Sequence, residues 1–334
     1  MTVAKLAGFS AALLCCLLLG VVASDFAAAA EDASRTALKL ALQWRPQSQF
    51  AGYYMARNKG LYRAAGLNVT LLHGNAKQGA LDMLADGRAD LATALLVDGV
   101  VNAPQLGLVM QVIRRSNLML IGWKDQGIVD VASLDQRRIS HGNDGAALAF
   151  AAFFARHNVR PLVIPQYYSI KLFLQGGVAA CSAMEYSEYH LLAQAGIDAD
   201  RVTTFLMRDY GLGFPEDGLY ARSEWIASHR ETALALRRAT LAGWEYARDH
   251  REETLDVVIA EAQRAQLPVN RPHERWMLRH VLDSIFVAGE RPESVATLRR
   301  AEFESTAQAL LGAGFISELP SFSRFAPFDQ RSGQ

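Results

Sequence analysis

The feature that most constrains this chain is an alternation of short apolar strands and helices that runs, stops, and runs again. "LKLALQW" reads as a strand, 49–65 as a helix, "LNVTLL" as a strand and "KQGALDMLADG" as a helix. "ADLATALL" is again a strand, 97–104 a helix, and "GLVMQVIRR" and "LMLIGW" are strands. A polar stretch at 124–138, "KDQGIVDVASLDQRR", interrupts the pattern. It restarts with "RISHG" as a strand, 145–157 as a helix, "LVIPQ" as a strand and 168–175 as a helix, followed by the strand "VAACSAM" and a helix over 185–195. Such alternation builds parallel sheets with helices on both faces. Two runs joined by a polar connector predict two α/β lobes. From 222 onward the chain reads as helical, with Ala233, Leu236, Thr240, Gly243 and Ala247 forming one stripe at 3-4-3-4 spacing beside Leu234 and Trp244.

The length, 334 residues, suits two such lobes. Lysine plus arginine equals aspartate plus glutamate at 34 each, so no bulk field draws the chain to nucleic acid or an anionic membrane. Lys5, the apolar run "LAGFSAALLCCLLLGVV" and the small residues of "ASDFAAAAEDAS" form a secretory signal pattern with a cut expected after Ala30. The competing reading is an uncleaved anchor, although the run is slightly short of the roughly 20 apolar residues that span a bilayer. Cleavage removes Cys15 and Cys16 and leaves Cys181 alone, so no internal disulfide is expected. In an apolar strand Cys181 reads as packing, not as a nucleophile.

Ligands of open α/β sheets sit outside the carboxyl ends of the strands, which in a two-lobed protein means the cleft between lobes. Trp44 ends the first strand before Arg45-Pro46 and is therefore expected to line that cleft, while Phe50 and one of Tyr53 and Tyr54 are expected in the core. Asp98 opens a helix, where it either complements the helix N-terminus or accepts from an exocyclic amine of a ligand. "SHGNDGAALAF" is a glycine-flanked turn into a helix; Asn143 either caps that helix or meets the ligand. In "FPEDGLY", Gly218 offers hinge freedom, and Glu216 and Asp217 either form a solvated turn or one of them, with Glu216 the candidate, reaches the ligand. His273 and His280 share a helix face, but no His-Glu-x-x-His pattern or cysteine set supports a metal site, and no Gly-x-Ser-x-Gly elbow or P-loop is present.

The stretch "LQWRPQSQFAGYYMARNKGLYRAAGLNV" resembles the opening of bacterial substrate-binding proteins of the group that includes thiamine-pyrimidine-precursor binders, whose relatives take riboflavin-like compounds, sulfonates and taurine. The likeness continues in order through "LADGRADLA", "SLDQRRISHG", "AMEYSEY", "PEDGLYA" and "AGWEYARDHREET". The resemblance implies a two-lobed, type II periplasmic-binding-protein fold. Lobe one takes 36–124 and 220–334, lobe two takes 125–219, and the chain crosses near 124 and 219. It also implies a monomeric periplasmic component of an ABC importer, meeting permease and ATPase subunits and needing no cofactor. The corresponding segment of pyrimidine binders supplies an aromatic stacker and an acidic partner, which here fall within Glu185, Tyr186 and Glu188, with Ser187 in place of the usual asparagine. Trp44 and Tyr186 are expected as two walls, with Glu185 or Glu188 reading polar edges.

The same resemblance reaches an enzyme, the fungal thiamine pyrimidine synthase, which consumes its own histidine with pyridoxal phosphate and iron. Its lysine and histidine positions fall on Ala94 and Asp98 here. No Schiff base forms on alanine and no imidazole is available at an aspartate. The expectation is a binding protein for a small aromatic heterocycle, with the synthase as the alternative.

Overall fold

The computed structural model describes residues 35–74, 78–142, 145–167, 169–291 and 294–329. The expected signal segment and Asn143 lie outside them. None of the described helices is long and apolar enough to cross a membrane.

Among the described residues, ten strands form two five-stranded sheets. Sheet one has the order β2-β1-β3-β10-β4, built from β1 (Thr36–Leu42), β2 (Leu67–His73), β3 (Leu91–Leu95), β4 (Leu106–Gln111) and β10 (Asp217–Arg222). Sheet two has the order β7-β6-β8-β5-β9, built from β5 (Leu118–Trp123), β6 (Arg138–His141), β7 (Leu162–Pro165), β8 (Ala180–Met184) and β9 (Val202–Leu206). In each, four strands run in one direction, three of them side by side, and one strand enters antiparallel between the third and the edge: β10 in sheet one, β5 in sheet two. Helices α1 (Ala51–Asn58), α2 (Ala80–Ala85) and α3 (Leu96–Val101) belong to the first run; α4 (Gly145–Arg156) and α5 (Glu188–Gln194) belong to the second.

The strand "LMLIGW" corrects the expected crossing near 124. Leu118–Trp123 pairs with β8 and β9, so the chain leaves sheet one at 112–117 and returns at 211–216. All six residues of β4 and all six of β5 are buried. Two fully buried runs look alike in sequence, and nothing in their pattern says which sheet each joins. The two crossings bind one another: Glu216 N–H donates to the Ile113 carbonyl at 2.9 Å.

The last third of the chain packs on sheet one. Helix α6 (Arg230–Asp249) buries Ala233, Leu236, Thr240, Gly243, Trp244 and Ala247, the expected stripe, against α1. Helices α7 (Arg251–Arg264), α8 (Arg271–Ile285) and α9 (Arg300–Gly312) follow. The 3.6-residue period puts the apolar stripe on one side, and burying it removes roughly 25 cal/mol per Å² of apolar surface from water.

Candidate functional site

The carboxyl ends of the parallel strands of both sheets face a common cleft of about 460 Å³. Its wall takes Gln43 and Trp44 from the end of β1, Ala94, Leu95 and Asp98 from β3 and α3, Gly142 after β6, and Gln166 after β7. Met184, Tyr186 and Glu188 after β8 complete it. That volume lies within the range of small-molecule sites. Among the described lining residues there is no lysine, arginine or histidine.

The aromatic cluster at the first strand–helix junction divides cleanly. Phe50, Tyr53 and Tyr54 are all in the core, so both tyrosines, not one, are buried; Tyr53 meets Trp244 edge-on at 5.9 Å. Only Trp44 reaches the cleft. Its backbone is fixed from behind: His73 Nδ1 lies 2.8 Å from the Trp44 carbonyl and His73 Nε2 lies 3.3 Å from the Tyr54 hydroxyl. A carbonyl only accepts, so Nδ1 carries the proton and Nε2 accepts from the phenol. Burial pushes the His73 pKa down, which keeps the ring neutral and this arrangement intact.

Three carboxylates line the cavity among the described residues, Asp82 and Asp98 from one half and Glu188 from the other. Asp98 comes from the sheet-one half, yet a methyl group placed on Gly145, the first residue of α4, would lie 2.3 Å from its Oδ2. The carboxylate therefore sits against the N-terminal turn of a helix in the other half, where the helix dipole favours negative charge. It also stands in the first turn of its own helix, α3, so both helix N-termini meet its charge. Glu188 opens α5 and accepts the Met184 N–H at 2.9 Å; burial pushes its pKa up, partly offset by that hydrogen bond and by the nearby Arg45. Tyr186 lines the same wall and is 2% exposed.

Two expected contacts are corrected. Glu185 points away from the cleft and pairs with Arg208, at 2.8 Å to one oxygen and 3.3 Å to the other. Glu185 lies in the turn after β8, where its pairing with Arg208 holds it, while Tyr186 lines the cleft. Glu216 is not a cleft residue either. It is 3% exposed and straps the first crossing, accepting from Leu118 N–H at 2.9 Å, Asn117 Nδ2 at 3.1 Å, Ser116 Oγ at 3.2 Å and the Asn117 backbone N–H. Desolvation outweighs these donors and pushes its pKa up to about 7. Four donors in a buried turn leave it no reach into the cavity.

Glutamines are what the motifs missed. Gln43, Gln47, Gln49 and Gln166 all line the cleft. Gln43 and Gln166 each follow the carboxyl end of a strand, the position where ligand contacts concentrate, which is the one signal that could have flagged them. Behind the cleft, His190 on α5 and His273 on α8 stack across the two halves, with their Nδ1 atoms 3.0 Å apart. Desolvation and the neighbouring His190 and Arg45 push His273 down to about 4. His280 lies on the same helix, and no group of three or more metal-ligating side chains occurs among the described residues. Cys181 is buried in β8, as expected for packing, and burial pushes its thiol pKa up.

A profile of the family described as NMT1/THI5 like matches residues 47–254. The chain belongs to this family. That bears out the binding-protein group the motifs resemble. No curated protein sequence matches the chain. Among solved structures, the alkanesulfonate-binding protein SsuA of Xanthomonas axonopodis pv. citri, bound to MOPS, superposes with a TM-score of 0.62 at 17% identity, over 90% of this chain and 99% of that one. A Candida albicans protein described as having the generic periplasmic binding protein fold gives 0.61 at 14%, over 86% and 93%. The desulfurization enzyme DSZB gives 0.57 at 16%, over 86% and 96%. At these identities the likeness establishes the fold: this NMT1/THI5-like chain has the two-lobed periplasmic-binding-protein architecture expected of it.

Proposed function

We propose that the protein is the solute-binding component of an ABC importer, exported to the periplasm, and that it closes its two halves on a small flat heterocycle carrying an amino group. A thiamine pyrimidine precursor is the type of ligand meant. The observation that carries this reading is the charge of the cleft. An aromatic ring, Trp44, lines the cavity together with Asp82, Asp98 and Glu188, and no cationic side chain lines it among the described residues. The helix N-terminus that would suit an anion is taken by the protein's own Asp98. Two like charges about 4 Å apart repel by roughly 1–4 kcal/mol between water and a protein surface, enough to disfavour a sulfonate strongly. An aromatic ring stacked on Trp44 gains about 0.5–1.5 kcal/mol beyond its area.

The crossings at 112–117 and 211–216 serve as the hinge, and ligand favours the closed population that a permease distinguishes. The synthase reading fares worse in the cleft, because the position where a lysine would be needed is Ala94, whose methyl lines the cavity.

Calorimetry on the purified chain with 4-amino-5-hydroxymethyl-2-methylpyrimidine and with MOPS tests the proposal. Binding of the pyrimidine, its recovery unchanged, and no binding of MOPS are expected. Replacing Asp98 by Ala should let MOPS compete for the freed turn of α4. Tighter binding of MOPS than of the pyrimidine by the wild type, or conversion of the pyrimidine, overturns it.

A further inference from the structure

We infer that the contact between α5 and α8 is a proton-controlled clasp: it holds the two halves together while its histidine pair carries at most one proton, and charging both rings lets the halves part. This holds whatever ligand the cleft takes and rests on the two-lobed fold alone. Helix α5 belongs to the sheet-two half, and α8 packs in the core of sheet one. At one end α8 is tied to the first crossing, where Ser284 Oγ lies 3.1 Å from Asn117 Oδ1 and the Ser284 carbonyl accepts from Arg114 N–H at 3.0 Å. The helix then runs away from the crossing, so His273 stands roughly 16 Å from Ser284 at about 1.5 Å per residue. There the other half meets it. The His190 ring lies nearly parallel to that of Trp276, with centroids 4.5 Å apart, and to that of His273 at 5.3 Å. Trp276 Nε1–H donates to the Glu185 carbonyl at 3.3 Å, and Asn270 Nδ2 donates to Gln194 Oε1 at 3.3 Å. Each of these contacts joins one half to the other.

Both histidines are half-buried, and their Nδ1 atoms are 3.0 Å apart. A bond between two imidazole nitrogens needs one donor and one acceptor. A first proton settles on Nε2 of the donor ring and keeps that bond. A second converts the acceptor into a donor, and two N–H groups and two positive charges then face each other. Arg45 brings a further cation to the same corner. Desolvation, then His190 and Arg45, hold His273 down at about 4, and desolvation lowers His190 as well. The other groups around the pair do not act this way. Burial pushes Glu188 and Glu274 up, so acid favours the packed state through them. Glu185 is paired with Arg208 in its own half. His280, against the Trp276 ring at 4.1 Å, is lowered by burial and by Arg279 of its own helix, while Glu185 across the gap opposes that shift. The clasp adjoins the cleft on both sides. Glu188, which lines it, opens α5, and Glu274 accepts from Ser48 N–H at 2.8 Å between the lining residues Gln47 and Gln49.

Trp276 supplies the readout, because its Nε1–H bond crosses between the halves. That of Trp123, which donates to the Phe173 carbonyl at 2.8 Å, stays within the sheet-two half and serves as the control. Solvent exchange of both indole protons is measured by NMR on the full chain without ligand, at pH 7.5 and pH 5, and expressed as protection relative to free indole. Relief of the whole His273 shift on opening would lower the closed-to-open ratio about thirtyfold over that range. Arg45 and part of the burial belong to the half that carries His273 and persist, so Trp276 should lose about tenfold in protection while Trp123 keeps its own. His273→Gln removes the titrating ring but leaves an amide that donates and accepts, and should hold the Trp276 loss to about twofold or less. If that variant does not fold, His190→Gln decides: it gives His273 a partner that cannot become charged, and the loss should be about threefold or less. No loss of Trp276 protection in the wild type, a loss as large in the variant, or a matching loss at Trp123 overturns the inference. The last result would mean that acid loosens the whole fold and not the clasp.

Discussion

The two sheets follow one plan and end in different circumstances. Each has three parallel strands side by side, an inserted antiparallel strand that follows a crossing, and an edge strand that again runs with the first three. The registers also match: β2 begins with Leu67 opposite Thr36, and β7 begins with Leu162 opposite Arg138. Yet Leu67 is 2% exposed and Leu162 is 53% exposed. The last third of the chain folds onto sheet one and contributes α6, α7 and α8 to its core. Sheet one thus works as the braced frame that fixes Trp44, Gln43 and Asp217. Sheet two carries the Glu188 wall on a thinner support. The topology is shared, so the difference in packing, not the strand order, decides where stability resides.

The strongest way to break that comparison is to part the helices that brace sheet one. On α6, a methyl group at Gly243 would come within 2.2 Å of the Gly52 carbonyl oxygen on α1 and 2.7 Å of Ala56 Cβ. The obstacle is backbone, which cannot rotate aside. Gly243→Ala should therefore cost about 3 kcal/mol or more, at the upper end of overpacking effects, read as a shifted urea midpoint. A loss under about 1 kcal/mol would show that α6 does not brace the frame.

How much of this was legible follows from the kind of signal each residue gives. The strand–helix alternation and the stripe of Ala233, Leu236, Thr240, Gly243 and Ala247 are periodic, and periodicity survives into three dimensions because burial enforces it. Trp44, Tyr186 and Glu188 were legible as strand-end residues. Glu185 and Glu216 were not, since the choice between a cleft and an Arg208 partner, or a cleft and a strap of backbone donors, depends on neighbours distant in sequence. The bond from Gln43 Nε2 to the buried Asp217, 174 residues apart, leaves no local trace at all.

The strap between the halves sharpens the comparison, because it belongs to both. Glu216 has an ordinary pKa of 4.5 raised to about 7, mainly by desolvation. A raised carboxyl contributes stability that is fully present below about 4.5 and is lost as pH rises through about 7. The size is roughly 3–4 kcal/mol, since one pKa unit is about 1.4 kcal/mol. His273, pushed down to about 4 in the cross-cleft histidine pair, acts in the opposite sense: its contribution is present above about 6.5 and lost as pH falls through about 4. Glu216→Gln stays neutral, so in urea titrations it should gain on the wild type by roughly 3–4 kcal/mol between about pH 4.5 and 8. A constant difference across that range would show that the strap does not titrate.

The smallest expected effect is at the unbraced edge of sheet two. Strand β7 pairs with β6 alone, and Leu162 and Val163 are both exposed, with Tyr167 standing out beyond them at the cleft rim. An apolar side chain already half in water has little transfer free energy left to lose, and a surface change away from caps and charges is worth about 0.5 kcal/mol or less. Leu162→Ser should accordingly leave the urea midpoint within that margin and leave pyrimidine affinity unchanged, since Leu162 does not line the cleft. The matching position in sheet one, Leu67, is in the core and offers no such tolerance. Should Leu162→Ser cost more than about 1 kcal/mol, burial would not be what separates the two edges, and the contrast between a braced and a bare sheet would have to be given up.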